Sequence, residues 1–161
     1  MEAHEQFIKA ITSRGGDKEQ EYACHYTHLN AREFDRWLFE QPKANGVTLY
    51  RGYKLERNFF EDGDYSVGAI LEPLSLTENY YPAFTTGEIR AVRYINDFGG
   101  GLEDDVRILF VLQTSGKYMV DISSLSVYPE EEEHHCCDGA KFKVVKSEQF
   151  STFLRLTLEE V

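Results

Sequence analysis

The stretch that decides the fold is Ser126-Val-Tyr-Pro-Glu-Glu-Glu-Glu-His-His-Cys-Cys-Asp-Gly-Ala-Lys-Phe-Lys-Val-Val145. Four consecutive carboxylates, Glu130 to Glu133, follow a turn signal at Tyr128-Pro129. A second turn signal, Asp138-Gly139, precedes Lys141-Phe-Lys-Val144, which alternates polar and apolar residues as a strand does. The pattern predicts an acidic loop that leads into a strand.

The acidic loop offers two carboxylates that could act on one substrate. Strand side chains alternate between faces, so Glu131 and Glu133 would share one face while Glu130 and Glu132 take the other. Carboxylates at i and i+2 lie roughly 6 to 7 Å apart, close enough to act from one side of a substrate. The alternative interpretation is a solvated loop tip, which is what runs of like charge usually form.

Length and charge limit the classes of protein. A chain of 161 residues predicts one domain, and we expect a monomer. The net charge of −11 argues against nucleic acid or an anionic membrane as partner and favours a basic protein target. No apolar run approaches about 18 residues. Because Met1–Gln6 shows neither a basic start nor an apolar region behind it, we expect no signal peptide and a cytoplasmic location.

The predicted domain has a helical N-terminal part, residues 1–45, and a β-rich core, residues 46–161. Helical spacing of apolar residues predicts three helices in the first part. The third opens at a capping box formed by Asn30 and Glu33 and ends before Pro42 and Gly46. The apolar faces are formed by Phe7, Ile8 and Ile11, by Tyr22, Tyr26 and Leu29, and by Phe34, Trp37 and Leu38.

The β-rich part opens with a strand, Val47-Thr-Leu-Tyr-Arg-Gly52, in which Arg51 shares a side with Val47 and Leu49. A guanidinium among apolar residues must meet an anion or a water-filled cleft, because it cannot lose its charge. Gly52 would let a ligand approach the backbone closely. An exposed arginine on an edge strand is the alternative.

Residues 83–101 follow a loop or short strand at residues 68–81, and they predict a helix whose face holds Ile89, Val92, Ile95 and Phe98. Thr85 or Thr86 would cap this helix, with Glu88 completing a capping box. Further strands are predicted at Val106–Thr114, at Lys117–Ile122 and at the alternating Leu154, Leu156 and Leu158.

The cysteines do not form a disulfide framework, because there are three and two are adjacent. His134-His135-Cys136-Cys137, with Cys24 and His28 at helical spacing, suggests zinc ligands. Neighbours on a strand point to opposite faces, however, so two of those four at most could reach one ion. We therefore predict no metal site and semi-buried strand residues instead.

Three separated motifs occur in order along the chain. They are Tyr50-Arg51-Gly52, then Phe84-Thr-Thr-Gly87 with Ala91 and Tyr94 behind it, and then the Glu-x-Glu loop within Tyr128–Val144. Together they resemble the arginine–serine–glutamate class of ADP-ribosyltransferases, which includes cholera-like and clostridial-type toxins and bacteriophage enzymes. The resemblance covers residues 47–145 and selects Glu131 and Glu133 from the four glutamates.

The resemblance implies an α+β fold in which two packed, mainly antiparallel β-sheets form an NAD cleft, with the N-terminal helices on one side. NAD would be the substrate, and nicotinamide would leave without a metal. Glu133 would grip the ribose 2′-hydroxyl, and Glu131 would be the general base on an acceptor arginine of a target protein.

The same resemblance implies that NAD is bound by Arg51, Gly52, Phe84, Thr85 and Glu133. Arg51 would pair with the pyrophosphate, and Thr85 would hydrogen-bond Glu133 or the ribose.

Two departures from the family pattern leave alternatives open. Thr85 occupies the serine position, whereas Ser75-Leu76-Thr77 keeps a serine without the helix pattern behind it. His-His-Cys-Cys replaces an apolar strand after Glu133. The leading hypothesis is an arginine-directed mono-ADP-ribosyltransferase acting in the cytoplasm of a bacterium or phage-infected cell. An NAD glycohydrolase and a non-catalytic interaction module are the alternatives.

Overall fold

The structure is a computed structural model that describes residues 35–76, 82–96, 105–123, 130 and 132–161. The first two predicted helices and the capping box at Asn30 and Glu33 lie outside the described residues. The third predicted helix is confirmed for residues 35–40, where Leu38 is fully buried.

The described residues form seven strands and three further helices. The strands are β1 (Asn45–Leu55), β2 (Ile70–Leu71), β3 (Val106–Ser115), β4 (Met119–Asp121), β5 (His134–Cys136), β6 (Phe142–Gln149) and β7 (Leu154–Glu160). The helices are α1 (Arg57–Asp62), α2 (Pro73–Leu76) and α3 (Glu88–Asn96). The predicted strands are confirmed as β1, β3, β4, β6 and β7, whereas α1 and α2 were not predicted.

Five strands form one mixed sheet in the order β1-β3-β7-β6-β2, and β4 and β5 form a small second sheet. All neighbouring strands are antiparallel except β3 and β7, which run parallel. The exception arises because the chain leaves β3, forms the small sheet and β6, and then returns to place β7 between β3 and β6. The predicted α+β fold with two mainly antiparallel sheets is confirmed.

The core lies on one face of the large sheet, and it is formed by alternate residues of the strands. On β3, Ile108, Phe110 and Leu112 enter this core, whereas Leu109 and Val111 face the opposite side. Met119 of β4 and Cys136 of β5 belong to the same core. The small sheet therefore packs over the large one, and a shared apolar layer joins them.

Helix α3 covers the other face of the large sheet through its buried residues Ala91 and Ile95. Gly52 of β1 lies directly beneath it, and a Cβ atom there would come within 2.2 Å of the Ala91 carbonyl oxygen. The prediction that Ile89 belongs to the buried face is wrong, since Ile89 is 72% exposed. The close contact with Gly52 turns Ala91 toward the sheet, and Ile89 consequently points outward.

Glu160, near the end of β7, ties the turn between β3 and β4 to the large sheet. Its buried carboxylate accepts hydrogen bonds from the Ser115 N–H and, at 2.7 Å, from the Tyr118 N–H. These contacts satisfy two main-chain donors that a turn would otherwise leave unpaired. The described helices include none that is long and apolar enough to cross a lipid bilayer.

Replacing Gly52 with alanine should destabilise the fold, because the added methyl group meets main-chain atoms of α3 rather than a flexible side chain. We expect a loss of about 3 kcal/mol, the upper end of overpacking costs. That loss corresponds to a fall in Tm of about 6 to 12 °C for a domain of this size. Thermal unfolding followed by circular dichroism measures the change.

Gly87→Ala is the matched control, because a Cβ atom there has no neighbour closer than 3.7 Å. We expect its Tm to stay within about 2 °C of the unsubstituted protein. Equal Tm values for the two variants would contradict the packing of Gly52 against Ala91.

Replacing Glu160 with alanine should also destabilise the fold, because it leaves the Ser115 and Tyr118 N–H groups without their acceptor. Both hydrogen bonds are partly buried, so each unpaired donor should cost about 1 kcal/mol, the lower end of the penalty for a donor without an acceptor. Glu160→Gln keeps one carbonyl oxygen and should lose roughly half as much stability. Denaturant unfolding measures the free energy of unfolding of both variants. An alanine variant at least as stable as the glutamine variant would be inconsistent with this role.

Candidate active site

Arg51 lies on the core face of β1, in line with Leu49 and Tyr53, as its position in the strand predicted. Its Nε donates to the Leu76 carbonyl at 2.9 Å, and its Nη1 donates to the Ala83 carbonyl at 3.1 Å. The guanidinium carbon lies 5.1 Å from the centre of the Tyr53 ring. Main-chain carbonyls and an aromatic face therefore hold a cation inside an otherwise apolar layer.

Burial lowers the pKa of the Arg51 guanidinium, and nearby Tyr94 raises it in part. An arginine stays protonated under such a shift, so the site keeps a poorly hydrated positive charge. The residue as a whole is half-buried. Because a guanidinium has five N–H groups, the two bonds to carbonyls leave other donors for an anion.

The segment Phe84-Thr85 lies between β1 and β5 and pairs with both. The Tyr50 N–H donates to the Thr85 carbonyl at 2.7 Å, and the Thr85 N–H donates back at 2.9 Å. Phe84 and His134 exchange a second pair of main-chain bonds, at 3.0 and 2.9 Å. Two isolated antiparallel bridges thus connect the large sheet to the small one.

These bridges bring the three predicted motif residues together. Arg51 follows Tyr50, Thr85 pairs with Tyr50, and Glu133 precedes His134. Neighbouring strands are roughly 4.8 Å apart, so the backbones at Arg51 and Glu133 are separated by about two such spacings. Segments from three distant parts of the sequence therefore lie side by side at this point.

Thr85 and Thr86 begin the turn that leads into α3. The Thr85 hydroxyl accepts the Gly87 N–H at 3.2 Å, and the Gly87 carbonyl accepts the Ala91 N–H at 3.3 Å. The Thr86 hydroxyl donates to the Glu132 carboxylate. The start of α3 is therefore attached directly to the acidic loop.

Glu133 is 6% exposed, although it belongs to a run of four glutamates. Its carbonyl accepts the Ile122 N–H at 2.9 Å, and its Oε2 lies 3.4 Å from Nε2 of His135. His135 is itself only 2% exposed. The interpretation of the acidic run as a solvated loop tip is therefore wrong for Glu133, whereas Glu131 lies outside the described residues.

Glu132 has a left-handed backbone, with φ of 48°, which is uncommon for a residue with a side chain. Its carboxylate accepts from Thr86, and its carbonyl lies 2.9 Å from Nδ1 of His134. Such a conformation costs of order 1 kcal/mol and persists where the surroundings enforce it. Contacts at the side chain and at the carbonyl of Glu132 therefore hold the turn that precedes Glu133.

The His-His-Cys-Cys strand is buried throughout. Burial raises the pKa of Cys136 to about 12, so its thiol is unreactive at neutral pH. Within the described ranges, no group of three or more histidine, cysteine or acidic side chains is placed to hold a metal ion. Cys24 and His28 lie outside those ranges.

Phe84 and Gly52, which were predicted to bind NAD, also have roles in packing. The Phe84 ring is 1% exposed and packs in the core, and its main-chain groups pair with His134. Gly52 is required by the approach of α3 and faces away from the side chain of Arg51. That Phe84 and Gly52 contact NAD stays a prediction.

The sequence did not indicate two contacts near Glu133, which are made by His135 and Thr86. The sequence suggested a semi-buried strand residue or a metal ligand at His135, although its position two residues after Glu133 on a strand gave both residues the same face. Thr86 was considered only as a helix cap. No local sequence signal pairs Thr86 with Glu132, because only the bridge between the sheets brings them together.

No protein-family model matches this chain, and no curated protein matches it by sequence. Solved structures do match. The crystal structure of the ADP-ribosyltransferase Vis, from Vibrio splendidus, in complex with agmatine has a TM-score of 0.66 and 17% identity, covering all of this chain and 69% of that one.

Two further structures, one clostridial and one staphylococcal, are also similar. An ADP-ribosyltransferase from Clostridium botulinum gives a TM-score of 0.64 at 11% identity, covering 99% of this chain and 87% of its own. The crystal structure of a protein from S. aureus with NAD has a TM-score of 0.59 and 15% identity, and the match covers 100% of this chain and 87% of that one. These likenesses extend over the whole chain at low identity, and they establish that this protein has the ADP-ribosyltransferase fold.

Proposed function

We propose that the protein is a mono-ADP-ribosyltransferase that transfers ADP-ribose from NAD to a protein side chain, with release of nicotinamide. The observation that carries this proposal is the pair of main-chain bridges that places Arg51, Thr85 and Glu133 on three adjacent segments. A cation, a hydroxyl and a buried carboxylate are the groups that this reaction needs around NAD.

The chemistry assigns a role to the Glu133 carboxylate. The glycosidic bond between nicotinamide and the ribose breaks, and its electron pair leaves with nicotinamide. The ribose then carries oxocarbenium-like positive charge, which a nearby carboxylate stabilises while it accepts a hydrogen bond from the 2′-hydroxyl. Burial strengthens this interaction because little water competes for the carboxylate.

Arg51 would hold the pyrophosphate of NAD through the N–H groups that its carbonyl partners leave available. The two carbonyl bonds fix the plane of the guanidinium, so little side-chain entropy remains to be lost on binding. This cation also offsets the repulsion between NAD and a chain of net charge −11.

Thr85 would support the carboxylate or the ribose through its hydroxyl. Its pairing with Tyr50, beside Arg51, favours Thr85 over Ser75 for the serine position of the family pattern. Ser75 lies instead in the short helix α2, where its carbonyl accepts the Tyr65 hydroxyl.

Glu131 would act as general base on the acceptor, which we propose to be an arginine of a target protein. The acceptor nitrogen would bond to the ribose carbon, and its proton would pass to the carboxylate. The structure of Vis with agmatine, itself a guanidinium compound, supports a guanidinium acceptor in this fold. Action on a cytoplasmic protein of a bacterial cell stays a prediction.

Replacing Glu133 with alanine should lower the rate of nicotinamide release by at least about 100-fold, because it removes the charge that faces the oxocarbenium state. Glu131→Ala should abolish labelling of protein while nicotinamide release continues. The assay incubates each protein with labelled NAD in a bacterial lysate, and it measures released nicotinamide and protein-bound label. Release of the label by neutral hydroxylamine indicates an arginine linkage.

Glu130→Ala is the matched control, because Glu130 is an exposed member of the same run, and we expect it to behave as the unsubstituted protein does. Transfer retained by Glu133→Ala would falsify the assignment of Glu133. Nicotinamide release without labelled protein would indicate a glycohydrolase, and absence of both would indicate a binding module.

Replacing Arg51 with lysine should raise the KM for NAD about tenfold or more, since a lysine cannot reproduce the planar, multi-donor contact with a pyrophosphate. Arg107→Lys provides the control, because Arg107 is an exposed arginine on the neighbouring strand β3. Steady-state nicotinamide release measures KM for both variants. An unchanged KM in Arg51→Lys would remove Arg51 from the binding site.

A further inference from the structure

His135 and Glu133 are two residues apart at the start of β5, and both are buried. Nε2 of His135 lies 3.4 Å from Oε2 of Glu133. We propose that His135 is a positioning residue for the Glu133 carboxylate: its Nε2–H donates to Oε2 and leaves Oε1 for the substrate. This inference rests on the proposed transferase function and adds a residue to it.

The contact defines which ring nitrogen carries the proton. An ionised carboxylate only accepts hydrogen bonds, so Nε2 must be the donor in the pair. A separation of 3.4 Å is long for a charge-assisted bond. Catalytic hydrogen bonds are often long in the unliganded enzyme and shorten when substrate binds.

The backbone of the acidic turn is held by other groups. The Glu133 carbonyl accepts from Ile122, the Glu132 carbonyl contacts His134, and the Glu132 side chain accepts from Thr86. None of these contacts restrains the carboxylate of Glu133, which sits at the end of a side chain with three rotatable bonds. The His135 imidazole contacts this carboxylate directly.

Burial of the imidazole is consistent with such a role. A buried imidazole carries a desolvation cost that an apolar side chain of similar volume would avoid. The described residues place no metal-binding cluster around it. Its contact with the Glu133 carboxylate offsets part of that cost, and a carboxylate fixed by a donor loses less rotational freedom in the transition state.

The test compares His135→Leu with His135→Gln in the nicotinamide-release assay. Leucine removes the donor and should lower kcat about 10- to 100-fold, as loss of a supporting hydrogen bond typically does. The KM for NAD should change less than about threefold, because the effect lies in the transition state. Glutamine carries an N–H at a similar reach and should restore most of kcat.

Cys137→Ala is the control for a local packing change, because Cys137 is also buried, two residues further along. It should keep the kcat of the unsubstituted protein. Equal losses of kcat in the leucine and glutamine variants would show a structural role and overturn the inference, as would an unchanged kcat in His135→Leu.

A measurement independent of activity covers the case in which His135→Leu does not fold. Side-chain nitrogen NMR of ¹⁵N-histidine-labelled protein should show the His135 Nε2 nucleus protonated, and Glu133→Ala should shift its resonance. An unprotonated Nε2 or an unmoved resonance overturns the inference. Failure of the proposed function is distinguishable, because the unsubstituted protein would then release no nicotinamide from NAD.

Discussion

The site depends on main-chain pairing at Phe84 and Thr85. Each residue exchanges two hydrogen bonds with a different neighbour, Thr85 with Tyr50 and Phe84 with His134. The Phe84 ring, buried in the core, anchors the segment between the two sheets. Because backbone hydrogen bonds fix both spacing and register, this pairing sets where Arg51, Thr85 and Glu133 lie relative to one another.

Around this pairing the structure concentrates features that are costly for stability. Arg51 is a half-buried cation, Glu133 and His135 form a buried polar pair, and Glu132 has a left-handed backbone. Each feature opposes folding by of order 1 kcal/mol or more, so the surrounding structure must hold it. Their occurrence at one place is typical of a functional site rather than of a core built for stability.

The rest of the fold supplies the stability that this site needs. β3 is buried along most of its length, β7 adds the buried Leu156 and Leu158, and α3 lies close to β1 at Gly52. This contact fixes the strand that carries Arg51 from its opposite face. Glu160 fixes the turn before the small sheet, and Glu133 directly precedes β5, the second strand of that sheet. Rigid elements therefore position each group of the site.

The sequence by itself determined the positions of most strands and the side of β1 on which Arg51 lies. It also contained three ordered motifs that resemble those of ADP-ribosyltransferases. These rest on periodicity and residue type, which are local properties of the chain. Only the tertiary structure decided that Ile89 faces outward and that Glu133 is buried beside His135. It also decided that residue 52 must be a glycine, because α3 lies too close for a side chain there. Those outcomes depend on which distant segments pack together, and residue spacing along the chain does not contain that information.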